Sequence, residues 1–376
     1  MASIYFPRNS LSLRLIGFLL VSVFSSTQAV AQNENRVLSG MRDGITSLVV
    51  KDSCLKNLTV DVLPQDEVWE INGRDCHCNE DISTMQVKRL IGLNWEVSDL
   101  QHLIDAHATD KTKSTLICFH GNRTDEEWAI SRGLQYYDNV FSKSTCPRTP
   151  VRYVIFSWRS EKDQLRAARD YDQNSKRAVS VGRAVSVLLN QFSDRQMLLS
   201  GFSLGAQVIL SALENIASQC DDPRCCEIKG GDPNRLPGQY RVALIAPALA
   251  GSYAAEQQFH YPDQRFVART EIFDNHLDRA LRMSNFVRRR QATSGDISIA
   301  QLARNQNLPL GTVRIRDVAN SVGKGHSIDR YTSDPLINQS ILELVGEVFQ
   351  SSVFALSTDQ IAPEVMLEPT LAPPGP

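Results

Sequence analysis

Arg195-Gln196-Met197-Leu198-Leu199-Ser200-Gly201-Phe202-Ser203-Leu204-Gly205-Ala206-Gln207-Val208 is the stretch on which the reading of this chain turns. The apolar run Met197 to Leu199 reads as a buried strand, and the residues from Leu204 onward read as a helix. Between them lies Gly201-Phe202-Ser203-Leu204-Gly205, a G-x-S-x-G pentapeptide in strand–turn–helix context, the nucleophile-elbow pattern. A serine hydroxyl is a weak nucleophile and must face a base on one side and substrate on the other. A sharp turn exposes it to both. Glycines at 201 and 205 remove the Cβ atoms that would collide where strand and helix pack closely. On this reading Ser203 is a catalytic nucleophile. The pentapeptide alone also fits a glycine-rich turn whose serine merely caps the helix, so the flanking pattern has to decide.

Working outward, short apolar runs alternate with amphipathic ones. Strands are expected at 58–63, 68–71, 115–119, 153–158, 197–200, 240–246, 270–273 and 313–318. Helices are expected at 97–108, 126–137, 171–192, 204–217 and 335–354. Apolar strands alternating with helices predict an α/β fold, a mostly parallel central sheet with helices on both faces. In such a sheet the active residues gather at the carboxyl ends of strands. Those ends carry His120-Gly121-Asn122-Arg123-Thr124, then Ser203, then Asp274-Asn275-His276-Leu277-Asp278, then Gly323-Lys324-Gly325-His326-Ser327. A nucleophile, an acid and a base thus follow successive strands in the order Ser, Asp, His.

On these residues the chain resembles the alpha/beta-hydrolase superfamily, from the strands near 58–71 to the helix ending near 354. It is most similar to a bacterial group of esterase-like hydrolases of uncharacterised function. In that group the sequence around the acid reads like Leu277-Asp278-Arg279-Ala280-Leu281, and an element like Phe156-Ser157-Trp158 precedes the long helix. The resemblance implies that Ser203 attacks an acyl carbonyl, that His326 carries the proton, and that Asp278 orients the imidazole. It implies an oxyanion hole from the backbone N–H groups of Asn122 and Leu204, and no metal or organic cofactor. Asp274, nearer its strand end, stands as the alternative acid, with Asp317 a third candidate. His120 is read as shaping its loop. The segment 250–268, with Tyr253, Phe259, Tyr261 and Phe266, is a candidate lid or acyl-pocket wall.

The 376 residues are 42% hydrophobic and 22% charged, with a formal charge of −2. That balance gives no case for nucleic acid or an anionic membrane as partner. Arg8, Arg14, the apolar run Leu15 to Phe24 and Ala29-Val30-Ala31 predict a signal peptide over 1–31 and a secreted or periplasmic protein. No later segment is long and apolar enough to cross a membrane. The catalytic domain is expected over 32–357, followed by a disordered proline-rich tail at 358–376. The eight cysteines (54, 76, 78, 118, 146, 220, 225 and 226) are expected to pair after export. Cys118 is the exception, since it falls in a core strand. The stretch 220–238 reads as a cysteine-bearing insertion. Cys76-His77-Cys78 lacks the usual zinc spacing. The expected activity is hydrolysis of a small-molecule or lipid carboxylic ester through an acyl-enzyme. The alternative is a secreted binding protein that keeps the fold without turnover.

Overall fold

A strand buried on both faces must be apolar through its middle, and the centre of this chain supplies four such strands in sequence. The computed structural model describes residues 46–50, 58–76, 81–145, 147–162, 167–192, 195–221, 238–248, 266–282 and 313–359. In chain order these form β1 (Thr46–Val50), β2 (Leu58–Val62), β3 (Glu67–Asn72), β4 (Gln86–Ile91), β5 (Asn94–Ser98), α1 (Leu100–Thr109), β6 (Ser114–Phe119) and α2 (Glu126–Tyr137). There follow β7 (Val151–Ser157), α3 (Ala167–Asn190), β8 (Met197–Phe202), α4 (Leu204–Asp221), β9 (Tyr240–Ile245), β10 (Val267–Asp274), β11 (Val313–Asp317), α5 (Ala319–Val322), α6 (Ile328–Thr332) and α7 (Pro335–Asp359).

Nine strands form one sheet in the order β11-β10-β9-β8-β6-β7-β3-β4-β5. Pairing is parallel from β11 to β3, and β4 and β5 complete the edge antiparallel. This is the mostly parallel α/β architecture that the alternation of strand and helix called for. β1 and β2 pair antiparallel in a separate two-stranded sheet.

The two-residue period of the strands sorts side chains into two cores. Ile117, Phe119, Val154, Phe156, Leu199 and Leu244 point to one face, where Leu103 of α1, Val185 of α3 and Val208 of α4 cover them. Leu116, Cys118, Tyr153, Ile155, Leu198 and Ile245 point to the other, under Leu134 of α2, Tyr331 of α6 and Ile341 of α7. The chain steps from β6 to β7 in one direction and from β7 to β8 in the other. The strand order therefore reverses between β6 and β8, which is where open α/β sheets hold their ligands.

Some expectations need correcting. The helix read from Val97 starts at Leu100, because the Asp99 side chain accepts from His102 N at 2.7 Å and caps it there. Val97 belongs to β5, paired with Lys88. The β4–β5 hairpin and the π-helical turn Asp138–Ser142 had no counterpart in the sequence reading. α7 runs to Asp359, so Thr358 and Asp359 are helical and not part of a tail. The signal segment 1–31, the insertion residues 222–237, most of the candidate lid (250–265) and the tail from 360 lie outside the described residues. No helix among the described residues is long and apolar enough to cross a membrane. Among them too, Cys76 and Cys118 are free buried thiols. Burial pushes the Cys118 thiol up to about 12. The other six cysteines lie outside the described side chains.

Two buried histidines, His107 and His120, are held neutral. Burial pushes each down to about 3, assisted at His107 by the charges of Arg195 and Arg152. In the unfolded chain both take up a proton near pH 6.5. Between pH 6.5 and 3 the unfolded state therefore binds more protons, and stability falls as pH falls. Urea midpoints are expected to drop between pH 7.5 and 5.5, a window above the ordinary carboxylate range; the buried Glu70, whose carboxyl is pushed up by burial, works in the opposite sense. The expected loss is on the order of 1 kcal/mol per histidine. A midpoint that stays level or rises over that window would contradict it.

Candidate active site

Ser203 is the single residue between β8 and α4, and its φ is 54°. A side chain other than glycine adopts this left-handed geometry only under constraint from its surroundings. Here the constraint is backbone hydrogen bonding. Ser203 N donates to Ile245 O at 3.0 Å, and Ala206 N and Ala248 N both donate to Ser203 O at 3.1 Å. Two neighbouring strand ends show the same geometry, at Arg123 after β6 (φ 59°) and Ala246 after β9 (φ 45°). Gly205 lets α4 start hard against the end of β6. A Cβ there would overlap the Phe119 carbonyl and lie 2.7 Å from that of His120. Gly121 brings the β6 loop against the serine, since a Cβ on it would lie 3.0 Å from Ser203 Cβ.

His326 reaches Ser203 from the loop between α5 and α6. Its Nε2 is 2.9 Å from Ser203 Oγ, and its Nδ1 is 2.7 Å from Asp278 Oδ2. A carboxylate only accepts, so Nδ1 carries the proton and Nε2 is left as acceptor for the serine hydroxyl. The imidazole packs on Phe202, with ring centroids 4.9 Å apart. Asp278 is fully buried, and its Oδ1 accepts from Ala280 N at 2.9 Å and Leu281 N at 3.3 Å, at the start of a helical turn. Of the other candidate acids, Asp274 ends β10, where its carbonyl accepts from Val318 N. Asp317 lies 3.2 Å from the exposed His276.

Leu204 opens α4, where a backbone N–H has no intrahelical acceptor. The loop of Asn122 is braced on three sides. Ser160 Oγ donates to Gly121 O at 2.9 Å, Arg74 Nη2 to Thr124 O at 3.0 Å, and Asn174 Nδ2 to Asn122 Oδ1 at 2.7 Å. His120 fixes the start of this loop. Trp158 N donates to its Nε2 at 3.0 Å, so its Nδ1–H donates to Gly121 O at 2.9 Å. The two rings stack 5.5 Å apart, and Trp158 Nε1 also donates to His120 O at 2.9 Å. Being neutral with both nitrogens engaged, His120 is part of the frame.

Two residues near Asp278 escaped the sequence reading. Tyr331 OH donates to Asp278 Oδ2 at 2.7 Å, and Asn275 Nδ2 donates to Tyr331 OH at 3.0 Å and to Gly323 O at 2.9 Å. In the sequence Tyr331 is an aromatic between the histidine loop and the last expected helix, with nothing to mark it. The available signal was that a buried tyrosine hydroxyl needs a partner.

Among the described residues, no three His, Cys, Asp or Glu side chains converge as metal ligands; His77 and Cys78 lie outside those residues. A cavity of about 540 Å³ lined by Met85, Lys88, Val97 and Leu100 among others sits at the β4–β5 edge, remote in strand order from Ser203.

Residues 96–345 match the family described as alpha/beta hydrolase of unknown function, DUF900. The chain belongs to this family. The matched span of the DUF900 hydrolase takes in Ser203, Asp278 and His326. No curated protein matches the sequence. Among solved structures, the hydrolase is similar to an uncharacterised protein from Bacillus cereus ATCC 10987, at 12% identity over 65% of this chain and 61% of that one, with a TM-score of 0.33. It thus spans less than two thirds of that protein. A CIB-like hydrolase from Thermoplasma acidophilum shows 14% identity over 73% of this chain and 92% of that one, TM-score 0.32. An extracellular alpha/beta-hydrolase from a Paenibacillus species shows 12% identity over 62% and 98%, TM-score 0.29. None of the three bears on what the DUF900 hydrolase acts on.

Proposed function

We propose that this alpha/beta hydrolase is an exported serine esterase. The observation that carries the reading is the unbroken chain from Ser203 Oγ through His326 to the buried Asp278, with links of 2.9 and 2.7 Å. Ser203 Oγ attacks the ester carbonyl while its proton passes to His326 Nε2. Asp278 stabilises the imidazolium that forms. The oxyanion accepts from the N–H groups of Leu204 and Asn122. The tetrahedral intermediate collapses, the C–O bond to the alcohol breaks, and His326 returns the proton to the leaving oxygen. Water, activated by the same histidine, then hydrolyses the acyl-enzyme and frees Ser203. The substrate is a small-molecule or lipid carboxylic ester. Export rests on the basic, apolar and A-x-A segments of residues 1–31.

Fluorophosphonate probes modify a serine only when a neighbouring base activates it. Incubation of the purified protein with such a probe is expected to place one label, mapped by mass spectrometry to the peptide containing Ser203. Well-folded protein that takes up no label would sink the esterase reading and favour a binding protein built on the same fold.

A further inference from the structure

We infer that Tyr331 is a positioning residue for the reaction: it shares Asp278 Oδ2 with His326 and so sets both the orientation of that carboxylate and the basicity of the histidine. The inference rests on the esterase reading above. Two donors meet one oxygen, with His326 Nδ1 and Tyr331 OH each 2.7 Å from Asp278 Oδ2. The direction of the second bond is fixed by Asn275. Its Oδ1 accepts from Leu277 N at 3.0 Å, which identifies Nδ2 as the atom facing Tyr331. An amide nitrogen only donates, so the tyrosine oxygen accepts from Asn275 and its single hydrogen is left for Asp278. Burial, and then the neighbouring Asp278 charge, push the phenol well above its ordinary range, so it stays a donor at any working pH.

The bond also ties two loops together. Asn275 donates to Gly323 O at 2.9 Å and Arg279 N to Lys324 O at 3.3 Å, so the acid loop and the histidine loop already touch at two points. Tyr331 adds a third, from the helix that begins just after His326. Without its hydroxyl, Asp278 keeps the two N–H bonds to Oδ1 but loses a charge-assisted partner at Oδ2. The negative charge on Oδ2 is then shared with His326 alone. A less dispersed charge stabilises the imidazolium and makes the free base scarcer near neutral pH.

The test is Tyr331→Phe, which keeps the ring in the core and removes one oxygen. The charged groups around His326 are unchanged in it. They are Asp278 against its Nδ1, Asp274 at the end of β10 near Tyr331, Arg279 and Lys324 where the two loops touch, Arg330 beside Gly325, and on the neighbouring helices Asp329 of α6, which faces Arg132 of α2. Two readouts are needed: the pH profile of fluorophosphonate labelling at Ser203, and the NMR titration of the His326 ring. The acid limb of the profile and the ring titration are expected to move up together by about half a pH unit to one unit, with labelling at pH 7 slowed by about two- to three-fold. A loss of packing alone would not move either midpoint. Should Tyr331→Phe not fold, 3-fluorotyrosine at position 331 decides. It is a stronger donor of nearly the same shape, and both midpoints should move down. Wild-type protein that labels, with midpoints unmoved in the folded variants, overturns the positioning role alone. Wild-type protein that does not label overturns the esterase reading and this role with it.

Discussion

Replacing Ser203 by alanine is expected to cut hydrolysis of short p-nitrophenyl esters by about 10⁴-fold or more while leaving the fold intact. The separation of the two effects follows from what the residue does in the turn. Every hydrogen bond that closes the elbow uses the Ser203 backbone, through its N–H to Ile245 and its carbonyl to Ala206 and Ala248. Alanine makes the same bonds and tolerates φ 54° no worse than serine does. The hydroxyl itself bonds to His326 Nε2. Its loss frees a nitrogen on a ring that is only partly buried, so stability should stay within about 1 kcal/mol of wild type. Circular dichroism and a melting curve check the second half, and ester turnover checks the first. Substantial turnover in the alanine variant would move the chemistry away from the elbow.

Asp278→Asn is expected to lower turnover by about 10⁴-fold, and Asp274→Asn to leave it within a few-fold. The Asp278 carboxylate receives four donors: His326 Nδ1, Tyr331 OH, Ala280 N and Leu281 N. An amide of the same shape accepts on one side only. If its oxygen keeps the two backbone N–H groups, its NH₂ faces His326 Nδ1 and forces the proton onto Nε2, where a base for Ser203 is no longer available. If its oxygen keeps His326, its NH₂ faces two backbone N–H groups in a buried site. Either way the fully buried position loses what it was built to hold. Asp274 ends β10, where its backbone carbonyl accepts from Val318 N, and it is Asp278 that holds His326 Nδ1. Initial rates at pH 7.5 for the two variants settle the ranking, and the opposite order would make Asp274 the acid.

The parts of this site written in consecutive residues were readable. G-x-S-x-G between an apolar run and a helix states its own turn, and the polar loops after the strands near 270 and 313 point to Asp278 and His326. The structure brings the three side chains into contact. Tyr331 and Asn275 were not readable, because their meaning lies in bonds between loops about fifty residues apart, and nothing local distinguishes Tyr331 from a core aromatic. The sheet was legible where strands are buried on both faces, as in Ser114–Phe119 and Met197–Phe202. It failed at β4 and β5, whose half-exposed residues break the alternation. Val97, 88% exposed, joined the helical spacing of α1 when only the Asp99 cap separates the two.

Arg123, Ser203 and Ala246 all hold left-handed backbone at the ends of β6, β8 and β9. Each such corner costs about 1 kcal/mol or more that glycine would not incur. Descendants of this sequence can therefore drift toward glycine at 246 and shed that strain, whereas at 123 the same change would also take the guanidinium away from the buried Asp170. At 203 they cannot without discarding the hydroxyl. The mutational freedom of these three positions is unequal, and a lineage inherits its least relaxed backbone together with the side chain on which its proposed chemistry depends.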